Sequence, residues 1–121
     1  MNNDDWNDDL FNRWASLRDD FRKAKRDKDY LSIIQTSNKI LELDKTARFI
    51  GIFTASFEQA IADASTRLGD HETAKEFYIR SIDSLERHRA NEKLSKPDDF
   101  LSDIGKIQKK LAKLTVAKSA D

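Results

Sequence analysis

Four cations near the start of the chain form the cluster best suited to binding a charged ligand. The cluster consists of Arg18, Arg22, Lys25 and Arg26. Because residues three or four apart share one side of a helix, these cations would project from a common face. Arginine pairs bidentately with carboxylates, so the cluster predicts a clamp for a carboxylate or an acidic segment. The alternative is a solvated face whose positive charge complements the carboxyl end of the helix dipole.

A second candidate surface lies in the middle of the chain, on the polar side of the third predicted helix. We place Gln59, Asp63 and Arg67 there as partner-binding residues, beside Ser56 and Thr66. Their amide, carboxylate and guanidinium groups can contact a partner by hydrogen bonds. The alternative is that this side simply faces water.

The chain lacks the parts that catalysis or a cofactor site would need. It contains no cysteine, and its two histidines, His71 and His88, are too far apart in sequence for the paired spacing of a zinc-binding helix. We expect both to lie at the surface. The glycines are isolated, so no phosphate-binding loop is present, and carboxylate pairs such as Asp19 and Asp20 lie in hydrophilic runs. These features predict a protein that is not an enzyme and holds no metal or cofactor.

The overall charge does not favour binding to nucleic acid or to an acidic membrane. Lys and Arg number 22, as do Asp and Glu, within 121 residues. A basic strip near the end of the chain lacks interleaved aromatic residues, which disfavours a nucleic-acid site; its members are Lys106, Lys109, Lys110 and Lys113. The absence of cysteine, of a signal-like start and of a long apolar run predicts a soluble cytoplasmic protein.

Apolar residues recur at intervals of three and four, which predicts an all-α fold of about five helices. Three glycines and one proline supply too few turns for a sheet. The apolar stripes cover 10–24, 30–41, 46–68, 74–85 and 95–114. We expect Leu68-Gly69-Asp70 to form a tight turn, and Ser95 with Asp98 to cap the fifth helix. Residues 1–115 would form one domain and 116–121 a frayed tail.

Two parts of this pattern resemble tetratricopeptide repeats. Residues 55–88 carry the later copy, with Ala62 and Ala74 where its two helices would pack closely and Leu68-Gly69-Asp70 at its turn. Residues 14–47 resemble an earlier copy ending in 40–44. From Tyr30 to His71, the matching turn position, is 41 residues, against about 34 in the family. An extension must therefore lie near 48–54. The resemblance implies two antiparallel helix hairpins, followed here by a C-terminal helix.

Tetratricopeptide repeats bind peptides or protein surfaces, usually through the first helix of each pair. The resemblance therefore implies an adaptor that holds an acidic peptide against the cationic cluster. A second hypothesis is a small inhibitor, such as an immunity protein or antitoxin, suggested by size and lack of chemistry. A third is a structural subunit that self-associates. An apolar run would supply a homodimer seam, unless its helix is flanked on both sides; it contains Phe49, Ile50, Ile52, Phe53 and Phe57.

Overall fold

The protein is all-α, as its sequence predicted. The computed structural model describes residues 7–91 and 94–120, with side chains up to residue 114. Within these ranges there are five α-helices and no strand: α1 Asp8–Arg26, α2 Tyr30–Thr46, α3 Thr54–Arg67, α4 His71–Asn91 and α5 Leu101–Ala120. A single 3₁₀ turn, Arg48–Ile50, follows α2. None of the described helices is long and apolar enough to cross a membrane.

The turn between α3 and α4 forms as its sequence predicted. Gly69 adopts the left-handed conformation with φ of 82°. Its N–H donates to the Thr66 carbonyl at 3.1 Å, and the Asp70 N–H donates to the Ser65 carbonyl at 2.9 Å, the paired bonds of a Schellman motif. The Asp70 side chain then accepts from the Thr73 N–H at 3.2 Å, which caps α4.

The turn between α1 and α2 has the same geometry. Lys28 occupies the left-handed position with φ of 54°, and its N–H donates to the Lys25 carbonyl at 3.2 Å while the Asp29 N–H donates to the Ala24 carbonyl at 3.0 Å. Asp29 caps α2 by accepting from the Ser32 N–H at 3.2 Å and from its hydroxyl at 2.8 Å. Such short connections make the helices of each pair antiparallel.

Two predicted helix starts were wrong. The third helix begins at Thr54 and not near Thr46, because α2 continues through Thr46 and buries Leu43 and Ala47 against the core. The 3₁₀ turn and Gly51, left-handed with φ of 72°, then separate α2 from α3. These residues fall within 48–54, where the tetratricopeptide resemblance implied an extension.

The fifth helix begins at Leu101, and the expected Ser95–Asp98 capping box is not its start. The carboxylate of Asp99, rather than that of Asp98, accepts from the Lys96 N–H at 3.0 Å. Phe100 then has φ of 69°, outside the helical region, so the helix cannot extend back through it. At its other end, the backbone of α5 is helical through Ala120. In the predicted tail, 116–121, the side chains and the whole of the last residue lie outside what the structure describes.

Helix α3 lies at the centre, as its apolar character predicted, and packs most extensively against α4 and α2. Its Phe57 ring meets Trp14 and Phe21 of α1 edge-on, with centroids 6.0 and 4.9 Å apart. On the other side, its Ala62 shares a buried cluster with Ile107 of α5. The side chains of α3 thus meet both α1 and α5. Trp6 lies outside the described residues.

Candidate functional site

Asp63 of α3 links three helices through its side chain. The Tyr78 hydroxyl of α4 donates to Asp63 Oδ1 at 2.5 Å. The Lys110 Nζ of α5 donates to Oδ1 at 3.0 Å and to Oδ2 at 3.3 Å. Burial, and then the hydrogen bond to Asp63, raise the pKa of Tyr78 above its ordinary value of 10.0. Tyr78 therefore remains a neutral donor at physiological pH and fixes the carboxylate in place.

The Asp63–Lys110 pair is open to solvent, so it adds little to stability. The side chain of Asp63 is 43% exposed and that of Lys110 is 41% exposed. Ion pairs this accessible typically contribute about 0–1 kcal/mol, because water and salt screen them. Both groups therefore remain accessible to a ligand that approaches from solvent.

A wide cleft of about 620 Å³ opens beside this pair, between the last turn of α3 and the middle of α5. Three of its lining residues are cations: Arg67 from α3, and Lys110 and Lys113 from α5. His71 at the start of α4 lines it as well, and Asp63 is the one carboxylate among its described lining residues. The wide cleft is therefore a basic surface assembled from residues far apart in sequence.

A narrow cleft of about 180 Å³ lies on the other side of Asp63 and Arg67, toward α1 and α2. Ile33, Ala60 and Ala64 give it apolar walls, with Tyr30 beside them, and Lys25 of α1 contributes a further cation. Asp63 and Arg67 line both clefts, so the two adjoin each other. We call them together the basic cleft. Its described lining carries four cations, Lys25, Arg67, Lys110 and Lys113, and one carboxylate.

The structure brings together three of the seven residues predicted to bind a partner: Lys25, Asp63 and Arg67 all line the narrow cleft. Gln59 is half-buried on α3 and is not among the described lining residues of either cleft. No structural observation tests whether any of these residues contacts a partner.

The predicted cationic cluster on α1 divides into different environments. Arg18 is half-buried, and its guanidinium lies 5.7 Å from the centroid of the Trp14 ring. Arg22 and Arg26 are exposed and are not among the described residues of the basic cleft. The Nε of Arg26 instead lies 4.0 Å from Asp27 Oδ1. Of the four, only Lys25 lines the basic cleft as described.

Sequence reasoning missed the cleft's contribution from α4 and α5. Lys110 and Lys113 had been recognised as half of a basic strip, but nothing local related that strip to α3. Tyr78 has no polar neighbour in the sequence that would relate it to Asp63. Tyr78 and Lys110 lie 15 and 47 residues from Asp63 in the sequence. Their contacts with Asp63 are therefore apparent only from the tertiary structure.

The two histidines, which were predicted to lie at the surface, are both half-buried but lie in different environments. The ring of His88 is half-buried between Phe53 and Phe100, with centroids 5.6 and 5.1 Å away. His71 is half-buried at the edge of the wide cleft. Among the described residues, no group of three or more histidines, cysteines or carboxylates is positioned to hold a metal ion.

The apolar run before α3 is largely accounted for within one chain. Ile52 and Phe57 are buried, and Phe49 and Ile50 pack against the same cluster. Phe53 is 40% exposed and covers the His88 ring. This arrangement matches the alternative in which the helix of the run is flanked on both sides. A homodimer remains a prediction, but this run no longer identifies its interface.

Comparison with known proteins gives no family for this geometry. No protein-family model matches the chain, and no match was found among curated proteins or solved structures. The resemblance to tetratricopeptide repeats therefore remains a prediction from the sequence, and the function has to be argued from the basic cleft itself.

Proposed function

We propose that the protein is a non-catalytic interaction module that binds an acidic segment of another protein in the basic cleft. The observation that carries this proposal is a local excess of positive charge. Lys25, Arg67, Lys110 and Lys113 come from three helices and surround Asp63, in a chain whose formal net charge is zero. Opposite charges elsewhere on the chain balance the excess, so the surface is polarised rather than uniformly basic.

Charge complementarity of this kind favours a partner rather than a reaction. Adjacent cations raise the local concentration of acidic ligands and speed their association, an effect that salt weakens. Each exposed pair contributes about 0–1 kcal/mol, so useful affinity requires several contacts at once. A cleft that spans α1, α3 and α5 provides them. The tetratricopeptide resemblance likewise implied ligand contacts from α1 and α3, the first helices of the two hairpins.

The proposal is tested by affinity purification of the tagged protein from its native cells at modest salt, followed by mass spectrometry. The cleft variant replaces Lys25, Arg67, Lys110 and Lys113 with glutamine. A matched variant replaces four other cations with glutamine: Arg22, Arg26, Lys106 and Lys109. These are exposed residues of α1 and α5 outside the described lining of the cleft. Both variants lose four positive charges, so they separate the cleft from overall charge and from the remainder of the predicted cluster.

We expect a stoichiometric partner with the wild type, loss of that partner with the cleft variant and its retention by the matched variant. Retention by the cleft variant and loss by the matched variant would instead support the exposed part of the cluster predicted from sequence. A single toxic enzyme retained by both variants would support the inhibitor hypothesis, with its contact elsewhere. Recovery of the chain alone, with a mass that rises with concentration, would support a self-associating subunit.

A further inference from the structure

The basic cleft contains a fixed negative charge at its centre. Asp63 lies where the wide and narrow clefts meet, with Lys25 on one side and Lys110 and Lys113 on the other. Arg67, one helical turn further along α3, lines both clefts. Lys25 and the two lysines of α5 thus lie on opposite sides of this junction, and a ligand that contacts both crosses α3 at Asp63 and Arg67.

Asp63 cannot easily leave this position. Its carboxylate accepts from Tyr78, whose ring is only 3% exposed on α4, and from Lys110 on α5. An acidic ligand side chain placed directly over Asp63 would meet a like charge and compete for Lys110. A neutral ligand residue at the same place avoids both effects, because it neither repels the carboxylate nor requires its bond to break.

From this arrangement we infer that the basic cleft selects ligands whose negative charges form two groups separated by neutral residues, and that Asp63 enforces this selection. The inference rests on the proposed function and specifies its ligand: an acidic peptide of split charge, rather than a continuous acidic run. Asp63 acts here as a specificity-determining residue that a ligand passes over.

The fold sets an approximate length for the neutral spacer. Packed helices typically lie about 8–10 Å apart, so two helices on either side of a third are separated by roughly 20 Å. An extended peptide advances roughly 3.3 Å per residue, and long side chains on both molecules shorten the span. A spacer of roughly two to five residues fits this distance.

The test uses two labelled peptides of identical composition, measured by fluorescence anisotropy at low salt against the full chain. The split peptide has two glutamates, four glycines and two glutamates; the continuous peptide has two glycines, four glutamates and two glycines. We expect the wild type to bind the split peptide about threefold more tightly, the factor that one exposed like-charge contact supplies. Asp63→Asn should bring the two Kd values together, chiefly by tightening the continuous peptide.

Glu58→Gln provides the matched control. Glu58 is also a partly buried carboxylate on α3 that joins another helix, since it accepts from the Ser84 hydroxyl at 2.6 Å. It is not among the described residues of the basic cleft, so its replacement should leave the ratio of the two Kd values unchanged. Circular dichroism of each variant establishes that the helices are retained.

A second arm needs no variant. Replacing the two central glycines of the split peptide with glutamate adds charge at the position facing Asp63, and the wild type should bind this peptide no more tightly than the split one. Tighter binding, or equal Kd values for the split and continuous peptides, would overturn the inference. If cleft cations support binding of both peptides but Asp63→Asn leaves their ratio unchanged, only the inference fails. Binding of no peptide would reject the acidic-ligand proposal too.

Discussion

The α1–α2 and α3–α4 hairpins turn through the same Schellman motif and the same aspartate cap, yet they are joined by different contacts. Between α3 and α4, Ala62, Ala74 and Ser81 are all fully buried. Between α1 and α2, the buried contacts include larger side chains, among them Leu17 and Ile40 of one core cluster. The turn motif is therefore compatible with both close and wide helix packing.

Small residues between α3 and α4 bring polar groups of the two helices together. The Ser81 hydroxyl donates to the Ala55 carbonyl at 2.8 Å, in a bond buried between the helices. Ser84 and Tyr78 likewise donate to carboxylates of α3. Close packing thus positions the Tyr78 hydroxyl against Asp63, and the basic cleft depends on the second hairpin more than on the first.

The largest expected effect comes from an aromatic contact between the two hairpins. Phe57→Ala removes a ring that is 8% exposed and meets Trp14 and Phe21. It should lower the free energy of unfolding by about 3–5 kcal/mol, because a large cavity is left between α1 and α3. Urea denaturation measures the loss. Phe53→Ala, at a residue that is 40% exposed, is the control and should lower the free energy of unfolding by less. Equal losses would show that the contact of Phe57 with α1 gives no additional stability.

The second prediction exchanges residues at the shared turn. Gly69→Ala should lower the free energy of unfolding by about 1–2 kcal/mol, since a Cβ is unfavourable in the left-handed conformation. The added methyl meets no atom within 4 Å, so the loss would come from the backbone alone. Lys28→Gly should raise the free energy of unfolding by up to about 1 kcal/mol for the converse reason. Changes of the same sign, measured by urea denaturation, would show that the two turns are not equivalent.

The third prediction compares two buried serines. Ser81→Ala should lower the free energy of unfolding by about 1 kcal/mol, because it removes the bond to Ala55. Ser65 on α3 is 1% exposed, and its hydroxyl has no hydrogen-bond partner among the described residues, so Ser65→Ala should be neutral or slightly stabilising. Thermal denaturation of both variants gives the difference. The gain in helix propensity is the same in each, and equal effects would mean that the Ser81 bond contributes nothing.

Local sequence was sufficient for the features that a few neighbouring residues determine. The period of apolar residues predicted five helices, and Leu68-Gly69-Asp70 predicted the second turn, because glycine and aspartate each have a specific role there. The start of α3 was misplaced because 46–53 is apolar enough to be helical. Its actual conformation depends on how α2 packs Leu43 and Ala47 against the core.

The candidate site could be predicted only in part. Lys25, Asp63 and Arg67 were found because helical spacing identifies a face. Lys110 and Lys113 were identified as basic but not placed, since periodicity does not tell how α5 is rotated against α3. Arg18 shares the spacing of the cluster, but spacing alone does not show that its guanidinium lies over the neighbouring Trp14 ring.

The smallest effect should be the pH dependence of the two aspartate caps. The hydrogen bond from the Ser32 side chain, and then that from its backbone, hold the pKa of Asp29 below its ordinary value of 3.8. The hydrogen bonds from the side chain and backbone of Thr73 do the same for the pKa of Asp70. Since the folded state favours ionised caps, their contribution is complete above the unfolded pKa and is lost as pH falls through the lower folded pKa.

Asparagine at either position keeps a capping oxygen but cannot titrate. Asp29→Asn and Asp70→Asn should therefore each make the urea midpoint fall less than that of the wild type between about pH 5 and pH 2.5. The two variants should flatten the profile to a similar extent, because each cap accepts both bonds from the residue three positions later. An effect seen only with Asp70→Asn would mean that Asp70 caps α4 in the folded state, whereas Asp29 does not cap α2.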